Sequence, residues 1–198
     1  IGWTRTARYR PNVALNVCSP SSTGGSGWMA EQLPKFDSYG VLQALDRHLV
    51  GYIVIGGFAR VVQGTEEMTR GIDIVPSTRE ENLRRLDAAL RDIGAARVDG
   101  SDFALDGSSI TEQPVLELTT DCGEVKIVPT PAGTRGYDDL RRAANREPLG
   151  RGVRPSVASI GDLARMVSAL DDEERLPQLL QLRRIVELER VRGRGIER

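Results

Sequence analysis

The sequence predicts an α/β core that ends in a helical section. Three observations carry this prediction: short apolar runs rich in β-branched residues alternate with helix-period segments, a Gly-Gly pair breaks the first run from the helix after it, and the last forty residues hold only helical patterns. At 198 residues the chain is long enough for one domain of ordinary size with an appendage.

Residues 1–28 stand apart as a flexible N-terminal arm or a non-native extension, because "SPSSTGGSG" has linker composition and "WTRTARYRPN" shows no sustained periodicity. Residues 29–150 form the expected core and 151–198 the helical part. The core opens with a helix over residues 36–49, where Tyr39, Val41, Leu42, Leu45 and Leu49 recur at helical spacing and Asp37 or Ser38 supplies the N-cap. "GYIVI" is a buried strand ended by Gly56 and Gly57, "FARVVQ" a short helix, and "GIDIVP" a second strand carrying one carboxylate, Asp73. "STREENLRRLDAALRDIGA" is a helix with Ser77 and Glu80 as a capping box, Leu83, Leu86, Leu90 and Ile93 as its apolar stripe, and Gly94 as its stop.

Three strand candidates follow, "DFALDG", "PVLELTT" and "EVKIVPT", the last two joined by a turn at "DCG". Next come a helix over residues 137–144 and a short strand within "VRPSVAS". Ser159, with Asp162 at N3, caps an amphipathic helix, and a last helix starts at Pro177 with the stripe Leu179, Leu182, Ile185, Val186.

Composition excludes several classes. No apolar run approaches the roughly 20 residues that span a bilayer, so a cytoplasmic protein without membrane contact is expected. The formal net charge of −1 requires any nucleic-acid contact to come from a local basic patch. Cys18 and Cys122 are too few for a disulfide framework or a metal spacing and read as free thiols; His48 reads as a helix-end surface residue.

Gly56-Gly57, a short helix and "TRGIDIV" resemble the nucleotidyltransferase fold of the DNA polymerase β type, a mixed sheet flanked by helices. More closely, "YIVIGGFA", "STREENLRRLDAALRDIGA", "GEVKIVPTPAGTRGYDDL" and "PSVASIGDLARM" are similar in order and spacing to the bacterial AbiEii and MenT nucleotidyltransferase toxins. The resemblance implies transfer of nucleotides from a nucleoside triphosphate to the 3′ end of tRNA, blocking translation, with Mg²⁺ as cofactor and a cognate antitoxin protein as partner. It implies Asp73 as catalytic acid and metal ligand, Gly56 and Gly57 against the phosphates, and Thr69 as a site where phosphorylation silences the enzyme.

This chain departs from the pattern where the chemistry needs it. The family's acid-apolar-acid strand reads Gly71-Ile72-Asp73 here, so the first acid is lost. Glu67 stands where a basic residue is common, Lys126 in the slot of the third acid, and Val167 in place of a lysine. Lys126 reads either as a nucleotide-binding residue or as a solvent-facing strand position. Glu117, in the apolar-acid-apolar run "VLEL", reads either as the displaced third acid or as a surface ion-pair partner. Three readings follow: an inactivated member of an active family, a lapsed enzyme kept for binding nucleotide, tRNA or a partner, or an enzyme whose third acid is Glu117. Arg183, Arg184, Arg190, Arg192 and Arg194 are candidates for an RNA grip or a solvated helix face.

Overall fold

The computed structural model describes residues 36–107, 110, 114–170 and 175–194; the N-terminal arm and Cys18 lie outside them. A seven-stranded mixed sheet organises the chain, in the order β3-β4-β5-β2-β1-β7-β6. Its strands are β1 (Tyr52–Ile55), β2 (Gly71–Pro76), β3 (Ala96–Arg97), β4 (Leu116–Thr120), β5 (Gly123–Ile127), β6 (Asn145–Arg146) and β7 (Ser156–Val157). Two pairings are parallel, β2 with β5 and β1 with β7, and the rest are antiparallel.

The helices among the described residues are α1 (Ser38–Arg47), α2 (Gly56–Val62), α3 (Glu80–Asp92), α4 (Tyr137–Leu140), α5 (Ile160–Ala169) and α6 (Leu176–Arg194). Asp37 caps α1 by accepting from the Tyr39 and Gly40 amides, and Ser159 caps α5 by accepting from the Asp162 amide. The capping box at Ser77 does not form. The cap position is Arg79, with no side-chain bond, because the chain leaving β2 stays extended through residue 79 and the Ser77 amide donates to Gly51.

The stripe Leu83, Leu86, Leu90 of α3 is fully buried, and α3 packs on α1 and on β2. On the same side the sheet contributes Ile72, Ile74, Leu118, Val125 and Ile127, all buried. β4 and β5 alternate strictly, with Glu117, Thr119 and Glu124 exposed and Lys126 half-exposed on the opposite face. That alternation leaves a polar shelf beside α2.

"DFALDG" forms no strand: Phe103 and Leu105 bury their side chains without a ladder. The free edge of β4 is taken by β3, whose Ala96 and Arg97 pair with Thr119 and Leu118. The helix expected over residues 137–144 shrinks to one turn, α4. The boundary set at residue 150 falls inside the β6–β7 hairpin, because the parallel pairing of β7 with β1 draws the chain back into the sheet. On α6, Leu182 is buried and Leu179, Ile185 and Val186 pack on the core; α6 begins at Leu176, one residue before Pro177. His48 ends α1 and shares a 2.6 Å hydrogen bond with Asp92. No helix among the described residues is long and apolar enough to cross a membrane.

One buried polar side chain ties α3 to the ends of β1 and β2. Asn82 Oδ1 accepts from the Gly51 amide at 2.6 Å, and Nδ2 donates to Gly51 O at 3.0 Å and Ser77 O at 2.8 Å. Replacing it strands two backbone groups, the Gly51 amide and Ser77 O, while Gly51 O keeps the Ser77 amide; each buried unmet group costs about 1–3 kcal/mol. Asn82→Ala is therefore expected to lower unfolding stability by about 2–4 kcal/mol in denaturant titration.

Candidate functional site

The register of three strands places the site. Parallel pairing sets Asp73 of β2 opposite Lys126 of β5, and antiparallel pairing sets Glu117 of β4 opposite the same Lys126. Residues directly opposite on neighbouring strands point to one face, about 4.8 Å apart. Asp73, Lys126 and Glu117 therefore form a row across the polar shelf with the lysine in the middle. The adjacent row is Gly71, Glu124 and Thr119.

Lys126 Nζ donates to Glu117 Oε1 at 2.6 Å. That bond, ahead of the fields of Glu117, Asp73 and Glu124, holds the ammonium above its ordinary pKa despite partial burial. Lys126 is therefore a fixed positive charge at neutral pH. Glu117 is its partner and stands two strands from Asp73, about 10 Å along the sheet.

The Asp73 carboxylate forms no hydrogen bond and no ion pair among the described residues. Its carboxyl pKa is raised chiefly by burial; Lys126 and Arg60 pull it down, and Glu117 and Glu124 push it up. Gly56 makes this placement possible. Its φ of +69° turns the chain from β1 into α2, and an added Cβ would collide with Asp73 Oδ2. Gly57 carries no such requirement, since a Cβ there would meet Thr69 Oγ1 at an ordinary 3.5 Å.

The loop between α2 and β2 is held by charge. Arg60 forks onto Glu67 with two 2.8 Å bonds, and Thr65 Oγ1 donates to the same carboxylate at 2.8 Å. Although burial works to raise it, these bonds hold the Glu67 pKa below the carboxylate range. The negative charge expected of Glu67 beside a phosphate is thus neutralised within the loop. Thr69 Oγ1 donates to Gly71 O at 2.9 Å, so its hydroxyl is engaged on the backbone. Val167 is buried in the core.

The residues present do not fit the Mg²⁺ pair that the resemblance implies. A hard divalent ion wants several oxygen ligands, and the paired ions of nucleotidyl transfer need bridging carboxylates. Asp73 stands alone in the position of those acids, an ammonium is its neighbour in the row, and no three acid, His or Cys side chains among the described residues group to hold a cation. At Gly71 a Cβ would press into the Glu124 carbonyl and lie 2.7 Å from Glu124 Cβ. The strands approach too closely there for the missing aspartate.

Two contributors escaped sequence reading. Glu124 faces the shelf two residues before Lys126, a period-2 relation that strand alternation alone would have exposed. Arg60 gave no local signal, because its partner Glu67 lies across a loop.

No protein-family model matches the sequence, and no curated protein matches it. Among solved structures, the chain is similar to the lincosamide antibiotic adenylyltransferase LnuA with lincomycin bound, at a TM-score of 0.53 and 17% identity over 76% of this chain and 99% of that one. A nucleotidyltransferase structure from Thermotoga maritima aligns at 0.45 and 18% identity, covering 81% of this chain and 91% of that one. ANT(2")-Ia in complex with adenylyl-2"-tobramycin aligns at 0.47 and 14% identity, covering 81% and 96%. The chain has a nucleotidyltransferase-type α+β fold.

Two outcomes follow from the site's electrostatics and packing. A carboxyl whose folded pKa is raised stabilises the fold fully below its ordinary value of 3.8 and loses that contribution as pH rises through the folded pKa. Asp73→Asn is therefore expected to melt above the wild type at pH 7, with the gap closing at pH 3 in thermal scans. Gly71→Ala and Gly71→Asp are both expected to destabilise by about 1–3 kcal/mol through overpacking against the β5 backbone, read by denaturant unfolding.

Proposed function

We propose that the chain is a lapsed nucleotidyltransferase of the toxin-like kind, which still binds transfer RNA but no longer transfers nucleotides to it. The observation that carries the lapse is the row on the shelf: a lysine stands between Asp73 and Glu117, and the neighbouring strand carries a glycine with no room for an acid. A triphosphate brought to this face would meet Asp73, Glu117 and Glu124, with Lys126 already bonded to Glu117 and Arg60 already forked onto Glu67 as the nearby cations. Transition-state charge on a transferring phosphoryl group needs positive charge concentrated around it, and here carboxylates outnumber cations. The resemblance of the segments around residues 50–167 supports tRNA as the polymer and a small antitoxin protein as partner.

A second reading is favoured by Asp73 itself. A half-buried carboxylate without a hydrogen-bond partner costs stability, and retention of that cost fits an active transferase that modifies the tRNA 3′ end. One assay separates the two. The chain is incubated with labelled nucleoside triphosphates, Mg²⁺ and tRNA, and both label on RNA and RNA retained on protein are measured. The expected result is RNA bound and unlabelled. Label at the tRNA 3′ end would restore the active toxin reading, and absence of both label and binding would sink each of them.

A further inference from the structure

We infer that the β6–β7 hairpin, residues 145–157, is a docking strip for the phosphodiester backbone of RNA. The proposal rests on the RNA-binding reading above for the identity of its ligand and adds where that ligand lies, which is neither the Asp73 shelf nor helix α6.

Charge segregation makes the case. The whole chain is near neutral at −1, yet this ribbon carries Arg146, Arg151 and Arg154 against the single acid Glu147. All three arginines are exposed. None of them makes an ion pair among the described residues; Arg146 acts on Asp46 only through space. The arginines of α3 are the internal contrast. Arg84, Arg85 and Arg91 each sit four residues after an acid and pair with it, Arg91 with Asp87 at 2.7 Å. On α6 the exposed Arg183 and Arg184 are followed within a turn by Glu187. Three exposed arginines without an ion pair among the described residues thus share one short ribbon.

The ribbon also holds its charges in place. Ladder bonds from the Glu147 amide to Pro155 O and from the Leu149 amide to Val153 O, both 3.1 Å, extend the β6–β7 pairing to the tip. At the tip Arg151 adopts a φ of +49° between Gly150 and Gly152, a left-handed conformation that L-residues rarely take. Its guanidinium lies 5.0 Å from the Tyr39 ring centroid, and the Tyr39 hydroxyl donates to Leu149 O. Arg151 and Arg47 line one shallow cleft together with Asp46, and Arg47 pairs with Asp92 at 3.9 Å.

Dimensions favour a polymer over a small anion. From Arg146 to the tip the strand spans about 17 Å at roughly 3.3 Å per residue, so its guanidinium groups reach successive phosphates rather than one. β6 lies three strands from β2, about 14 Å across the sheet, close enough for one RNA to touch the hairpin and reach the Asp73 shelf.

The test measures tRNA affinity at 50–200 mM salt for three proteins: the wild type, a hairpin variant (Arg146→Gln, Arg151→Asn, Arg154→Gln) and a control variant losing the same charge from α3 (Arg84→Gln, Arg85→Gln, Arg91→Gln). Asn is chosen at 151 because it tolerates the left-handed conformation, and thermal unfolding verifies that each variant is folded. The hairpin variant is expected to bind at least about tenfold more weakly and to flatten the log affinity–log salt slope by about two, at 0.7–0.9 per phosphate contact. The α3 control is expected to bind as the wild type. Full affinity in the hairpin variant, or equal loss in both variants, overturns the docking strip while leaving RNA binding intact. Displacement of RNA by micromolar inorganic pyrophosphate also overturns it, by assigning the arginines to a small phosphate. Failure of the wild type to bind tRNA overturns strip and RNA reading together, whereas nucleotide transfer would overturn only the lapse.

Discussion

The parallel pairing of β2 with β5 is the constraint on which the rest depends. It aligns Ile72 with Val125 and Ile74 with Ile127 on the buried side and, by the same alternation, Asp73 with Lys126 on the open side. A slip of one residue would send the isoleucines to solvent, so the hydrophobic core locks the register. The polar face has no say in it. Asp73 faces an ammonium because the core beneath demands that alignment, and Glu117 binds the same ammonium because β5 follows β4 through the short turn at Asp121 and Cys122.

The same close pairing explains Gly71. Where β2 enters the sheet, its backbone lies against Glu124 so tightly that a side chain has no space. Gly56 is tight for a different reason, since its backbone turns over the Asp73 carboxylate. Two glycines thus flank one half-buried acid, one admitting it and the other excluding a companion. The desolvation Asp73 suffers is a cost imposed by the fold, whereas Glu67, buried nearby, is compensated by the Arg60 fork and Thr65.

Charge is handled differently in different parts of the molecule. On α3 and in the α2–β2 loop, arginines are matched to acids within a few residues, so their sum is neutral and local. On the β6–β7 hairpin three arginines have no ion pair among the described residues, in a chain of net charge −1. Net charge alone carries no trace of this, because the shelf of Glu117, Glu124 and Asp73 cancels it three to five strands away.

Sequence determined the elements whose cause is local. The 3.6-residue stripe of α3, the Asp37 and Ser159 caps, the β-branched runs of β1 and β2 and the Gly56 turn all follow from interactions within a few residues, and all form. Local reading failed where a distant partner intervened: "DFALDG" lost its edge to β3, and Ser77 gave up its cap. Of the site, Asp73, Gly71, Glu117 and Lys126 were legible one by one as chemical types. Their order in space, with the lysine between two acids, was decided only by the pairing of strands more than forty residues apart. Such pairing is fixed by the burial of long-range apolar contacts, which no local period encodes.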